Sequence, residues 1–172
     1  MPQTELIPAH FRDGACRMAA ALRDVDRVLV SGHVNPDGDA VGSLAAAGHI
    51  LRSLGKEFIL YSSTDLPQYL QFFPLPGTVH TSLEHLPFTP RCALLLDCGE
   101  PHRLGRELAQ RLPGLTSLNI DHHLGGDGMG SLANWVDPEA AATAQLMAYV
   151  ALAAGLPLKN ELACAVALGI IT

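Results

Sequence analysis

Apolar residues in this chain come mostly in short unbroken runs, each closed by turn residues or by charge. RVLVSG (27–32), KEFILYS (56–62), RCALLLDCG (91–99), LTSLNIDHH (115–123) and SLANWVD (131–137) predict five strands. Runs of this length without polar alternation suit strands buried on both faces. Between them the spacing turns helical. DAVGSLAAAGHILRSLG (39–55) predicts a helix stopped by Gly55, and HRLGRELAQRL (102–112) an amphipathic one. DPEAAATAQLMAYVALAAG (137–155) predicts the best helix, with Asp137 as N-cap, Pro138 in the first helical position and Gly155 closing it. LPQYLQFFPLPG (66–77) is broken by prolines into a short helix or turn, and LGGDGMG (124–130) reads as a mobile loop. LKNELACAVALGIIT (158–172) opens another helix and stops while still apolar, so the chain reads as the N-terminal part of a longer protein. Strands alternating with helices predict an α/β fold, with a mostly parallel sheet and helices on both faces.

Composition narrows the class. The 172 residues suit one domain, and 48% hydrophobic against 16% charged residues provides a core, not a disordered chain. Aromatic residues are only 5%, so that core must be aliphatic. A net charge of −6, with 11 Lys and Arg spread along the chain, argues against gripping a long nucleic-acid duplex. It leaves room for a short anion held through bound cations. Cys16, Cys92, Cys98 and Cys164 form no CxxC pair and read as reduced, mostly buried thiols. The first residues hold no apolar leader, and no run is long enough to be a membrane span, so a cytoplasmic protein is expected.

The chemistry gathers at the ends of the predicted strands. His33, Asp37 and Asp39 follow the first, Asp97 ends the third, and Asp121, His122 and His123 end the fourth. Carboxyl ends of parallel strands share one edge, where ligands bind. Each cluster has a plain alternative. Asp37 and Asp39 suit a helix cap after an NPDG turn, Asp97 suits a turn, and the His pair suits one core and one surface residue. Acidic or imidazole groups at three separate strand ends favour a metal site. Carboxylates and His without clustered thiolates suit a hard or borderline divalent ion, Mn2+ foremost, with Mg2+, Co2+ or Zn2+ also open. Four carboxylates exceed the needs of one ion and suggest two ions sharing one of them.

HVNPDGDAVGS (33–43), LLLDCG (94–99) and NIDHHLG (119–125), in that order, resemble the motifs of the DHH phosphoesterases. That superfamily includes RecJ-type nucleases, nano-RNases with pAp phosphatase activity, cyclic-dinucleotide phosphodiesterases and family II inorganic pyrophosphatases. The resemblance runs from about Val28 to Thr172. With NWVDPEAAATAQL (134–146), it is nearest the nano-RNase branch. It implies a Rossmann-like catalytic domain over 1–172, with a helical segment at 1–26 as its N-terminal part. It also implies that His33 and Asp37 hold one ion, Asp39 and His122 the second, and Asp97 both. His123 would face the substrate phosphate, with Asp121 supporting the His pair. A further family Asp, expected next after GIIT, and a C-terminal substrate-binding domain would lie beyond Thr172.

Arg103 is a candidate phosphate contact and Asn35 a candidate loop or phosphate contact, each with a plain surface role as its alternative. The expected function is metal-dependent hydrolysis of short oligoribonucleotides to nucleoside monophosphates, of 3′-phosphoadenosine 5′-phosphate to AMP, or of both. The expected partners are short RNA or nucleotides, with pairing of the domain as a homodimer by analogy. Rival readings are a pyrophosphatase, a cyclic-dinucleotide phosphodiesterase and a non-catalytic binding or regulatory module.

Overall fold

The computed structural model describes residues 3–172. Six short strands form one all-parallel sheet: β1 (Val28–Ser31), β2 (Phe58–Tyr61), β3 (Val79–His80), β4 (Cys92–Leu96), β5 (Thr116–Asp121) and β6 (Ala133–Val136). Their order is β3-β2-β1-β4-β5-β6, so the sheet grows outward in both directions from the β1–β4 pair. That pair is the topological switch point, where loops leaving adjacent strand ends diverge and open a crevice. The five predicted strands are all present. The two-residue β3 adds a sixth, too short to stand out as an apolar run.

Five α-helices accompany the sheet: α1 (Ala9–Asp24), α2 (Gly38–Ser53), α3 (Arg106–Arg111), α4 (Thr143–Ala153) and α5 (Asn160–Ile171). Strand side chains alternate between two cores. Val28, Val30, Leu94, Leu96, Leu118 and Ile120 face α1, α2, α4 and α5 in one large aliphatic core. Leu29, Ile59, Ala93 and Leu95 face the smaller layer of Leu104, Leu108 and Leu112. The thin layer follows from a broken helix. The single helix expected over 102–112 divides at Gly105, which takes φ +84° between a 3-10 turn (Pro101–Leu104) and α3. A side chain there would also collide with Ser63.

The helix expected from Asp137 begins six residues later, at Thr143. Asp137 is occupied otherwise: its N–H donates to the Asp121 carbonyl at 2.9 Å, extending the β5–β6 pairing by one residue. Its carboxylate accepts the Glu139 N–H at 3.2 Å, closing a local turn. The free N–H groups at the start of α4 are satisfied from a distant segment, by Asp39. Gly155, at φ +81°, does follow the end of α4 as expected. Cys92 and Cys98 are buried, but Cys16 and Cys164 are exposed, correcting the expectation of mostly buried thiols. Both lie on outward-facing positions of helices whose opposite sides fill the large core.

Two glycines decide how closely α2 and α5 approach. A Cβ on Gly42 would lie 2.7 Å from the Ala165 carbonyl oxygen. One on Gly169 would lie 2.4 Å from the Ala144 Cβ and 3.0 Å from an Asp39 oxygen. The packing of α5 therefore holds the first turn of α2, and Asp39 with it, against the start of α4. Among the described residues, no helix is long and apolar enough to cross a membrane.

Candidate metal centre

All seven strand-end residues meet at the carboxyl edge of β1, β4 and β5. Asp37 caps α2, accepting the Ala40 N–H at 3.1 Å, so the plain reading of this residue holds. The same carboxylate lies 3.7 Å from His33 Nε2, beside the group with which it was expected to share an ion. A cap uses one lone-pair direction of a carboxylate and leaves others free. Asn35 sits in this loop at φ +51°, a left-handed conformation that asparagine tolerates, and its N–H donates to Thr64 Oγ1. Its side chain is exposed at the rim.

Asp97 is the centre of the arrangement. It is 1% exposed and takes φ +54°, unusual for a residue with a Cβ. The turn that imposes this conformation is fastened by Asn119, a buried residue of β5. Its amide nitrogen donates to the Leu95 and Cys98 carbonyls at 3.1 Å each, and its oxygen accepts the Met129 N–H at 3.0 Å. Asp97 Oδ2 lies 3.4 Å from His33 Nε2, while Oδ1 lies 3.6 Å from both His122 Nε2 and His123 Nδ1. His122 Nε2 is also 3.5 Å from Asp39 Oδ2.

The imidazoles divide into two kinds. His33 Nδ1 meets the Val34 carbonyl at 2.8 Å and His122 Nδ1 meets the Ala140 carbonyl at 3.2 Å. A carbonyl only accepts, so Nδ1 carries the proton in both rings and Nε2 is directed at the carboxylates. This is the orientation that carbonyl-anchored metal-binding histidines use. His123 is reversed. Its Nδ1 is held at 2.7 Å by Asp121, whose same oxygen also accepts the His122 and His123 N–H groups. Asp121 is 1% exposed, whereas the His123 side chain is 44% exposed, which leaves the imidazole at the open rim.

Among the described residues, two groups of ligand-capable atoms lie within 4.8 Å of one another: His33, Asp37 and Asp97, and Asp97, His122 and His123. Asp97 belongs to both. Burial, followed by the negative charge of Asp97, pushes the Asp39 carboxyl up to about 6. Burial alone would raise Asp97 too. Hydrogen bonds from His33 and Thr143, with the charges of the His33 and His123 imidazoles, outweigh it and hold Asp97 below the ordinary carboxylate value. The hydrogen bond to Asp97 raises His33 against the opposing effect of burial. Crowded carboxylates that hold protons or borrow charge from imidazoles form a donor set that a divalent cation fits.

A cavity of about 230 Å³ opens beside His123, lined by Gly99, Arg103, Asp121 and the 124–128 loop. Arg103 is thereby next to the His pair, and its carbonyl accepts the Val34 N–H at 2.6 Å, tying the 3-10 turn to the His33 loop. Cys98 is wholly buried, and burial pushes its thiol up to about 11, which agrees with a packing role. Sequence reasoning missed two residues. Asn119 was visible only as a polar residue inside an apolar strand. Thr143 gave no signal within its alanine-rich surroundings.

Fold and site together define an α/β protein with carboxylates and imidazoles converging on the switch point of a parallel sheet. The chain belongs to the DHH family: the model of the DHH family, N-terminal domain, matches residues 27–170. It is 36% identical over 157 residues to the bifunctional oligoribonuclease and PAP phosphatase NrnA of Thermus thermophilus, a match covering 90% of this chain and 46% of that protein. The protein of the same name from Mycoplasma pneumoniae is 25% identical over 169 residues, covering 95% and 51%. The chain thus spans about half the length of the curated relatives it matches. An exopolyphosphatase-related protein from Bacteroides fragilis has the same fold, with a TM-score of 0.81 at 20% identity over 92% of this chain and 49% of that one. The exonuclease RecJ bound to manganese superposes with a TM-score of 0.54 at 22% identity, covering 92% and 42%.

Proposed function

We propose that this chain is the metal-binding catalytic part of a phosphoester hydrolase acting on short oligoribonucleotides and on 3′-phosphoadenosine 5′-phosphate. The observation that carries the reading is the shared carboxylate: Asp97 faces two ligand groups, one through each oxygen. His33 and Asp37 would hold one divalent ion and Asp39 and His122 a second, with Asp97 common to both and Mn2+ the preferred metal. Bound there, such ions supply Lewis-acid stabilisation of phosphoryl charge and make water a competent nucleophile near neutral pH.

The chain's own residues do the rest. Val34 and Ala140 fix the ring orientation of His33 and His122 through their carbonyls. Asp121 accepts the His123 Nδ1–H and leaves Nε2 at the half-exposed edge, where the doubly protonated ring would donate its Nε2–H to a phosphate oxygen or give that proton to the departing alkoxide. Arg103, across the cavity, supplies a fork for a second phosphate oxygen. The similarity to the two NrnA proteins supports the nucleotide substrate class.

The test is mononucleotide release from a 5′-labelled diribonucleotide in Mn2+, run beside pAp and pyrophosphate, with Asp97→Ala as control. Release from the first two substrates that disappears in the control is the expected result. Hydrolysis of pyrophosphate alone would overturn the substrate class. Failure of the metal-free chain to bind Mn2+, measured calorimetrically, would overturn the catalytic reading in favour of a non-catalytic module.

A further inference from the structure

We propose that Thr143 is a positioning residue that fixes the orientation of both the Asp97 and Asp39 carboxylates, and so sets the affinity of the centre for its ions. The proposal rests on the metal-centre reading above. Thr143 is fully buried at the first position of α4. Its hydroxyl donates to Asp97 Oδ1 at 3.0 Å, its N–H donates to Asp39 Oδ2 at 2.7 Å, and the next N–H, from Ala144, reaches Asp39 Oδ1 at 2.9 Å. Ser43 Oγ donates to the same Asp39 oxygen at 3.1 Å. One residue therefore touches two carboxylates delivered by different elements, the first turn of α2 and the end of β4.

Orientation matters because Asp97 has to present different oxygens to different partners. Oδ2 faces His33, and Oδ1 faces His122 and His123. The last torsion of an aspartate is broad, so burial alone does not choose the plane of the carboxylate. A hydroxyl donor on Oδ1 does. The α4 N-terminus also brings partial positive charge against two mutually repelling carboxylates. Thr143 has little freedom to move away, because α5 presses on the adjacent Ala144 through Gly169. The late start of α4 has the same origin, since its first N–H groups are spent on Asp39.

A merely structural threonine would alter stability and leave the ions alone, so the test separates the two. Mn2+ is titrated calorimetrically into metal-free wild type, Thr143→Val, Thr143→Ala and Thr143→Ser, with thermal unfolding of each metal-free form in parallel. Valine keeps the shape without the hydroxyl. Alanine tests the same loss if valine does not fold, and serine restores the donor. The expected result is an affinity about 10- to 100-fold weaker for valine or alanine. Serine should recover to within about threefold of wild type even where its metal-free unfolding temperature is lower. Wild-type affinity in valine or alanine overturns the proposal. So does an affinity that follows unfolding temperature across the set with no rescue by serine. Absence of Mn2+ binding by wild type would instead remove the metal-centre reading, and this proposal with it.

Discussion

The two halves of the centre are built differently. The inner half consists of Asp39, Asp97, His33 and Thr143, each 9% exposed or less and tied to a neighbour by hydrogen bonds. The outer half is His123 with Arg103 and the glycine loop, open to a cavity, and His122 stands between the two halves with its Nε2 toward Asp39 and Asp97. Buried charge is costly unless it is paired, so the inner carboxylates hold their geometry only through donors from several elements. The rim groups have water available and need only one anchor each. The inner half can therefore hold ions in place while the outer half meets a ligand that comes and goes.

The largest expected effect tests the inner half. Asp97→Ala removes the residue common to both groups, and should lower diribonucleotide hydrolysis about a thousandfold or more and abolish high-affinity Mn2+ binding. An active Asp97→Ala would dissolve the distinction between the halves.

The His pair sharpens the comparison further. His122→Ala should weaken Mn2+ binding about tenfold or more, whereas His123→Ala should lower kcat about a hundredfold with Mn2+ affinity nearly unchanged. Equal loss of metal in the two variants would move His123 into the ligand set, and Asp121 would then have to release Nδ1. Arg103→Ala, at the outermost position, should raise KM about tenfold with kcat nearly kept.

The smallest effect is on stability. Asp39 is raised to about 6 and His33 is raised as well. A group raised by folding binds its proton more tightly in the folded state, so its contribution is lost as pH climbs through the folded value. Asp97 is lowered, and its contribution is lost only on acidification below the ordinary carboxylate range. The Tm of the metal-free protein should therefore fall as pH rises from the ordinary carboxylate range to about 6, and fall further as pH climbs from the ordinary imidazole value through the raised value of His33. Added Mn2+ should reverse the slope, because the ion binds the deprotonated groups. A Tm that is flat or rising in chelator would mean that the inner carboxylates are not held as described.

Much of the fold was legible because its signals are local. A buried parallel strand needs an unbroken apolar run, and five runs mark five strands. The glycine after α4 stops it where the pattern says. The extra strand β3 was not legible, since two residues carry no period. Gly105 was read as a helix member because its surroundings are amphipathic, and its positive φ answers to Ser63, distant in sequence.

The site divides along the same line. Types and order of the candidate site residues were written in the chain, because each sits within a few residues of a strand end and parallel strands bring such ends to one edge. Residue spacing alone thus determined an α/β sheet with carboxylates and imidazoles along its active edge. Tertiary structure decided how those groups face each other: which oxygen of Asp97 meets which ring, why His123 is turned opposite to His122, and why α4 begins at Thr143. Those are contacts across 104 residues between Asp39 and Thr143 and 46 between Asp97 and Thr143. A hydrogen bond over such a separation leaves no period in the sequence, and it exists only where the fold brings α2, β4 and the start of α4 together.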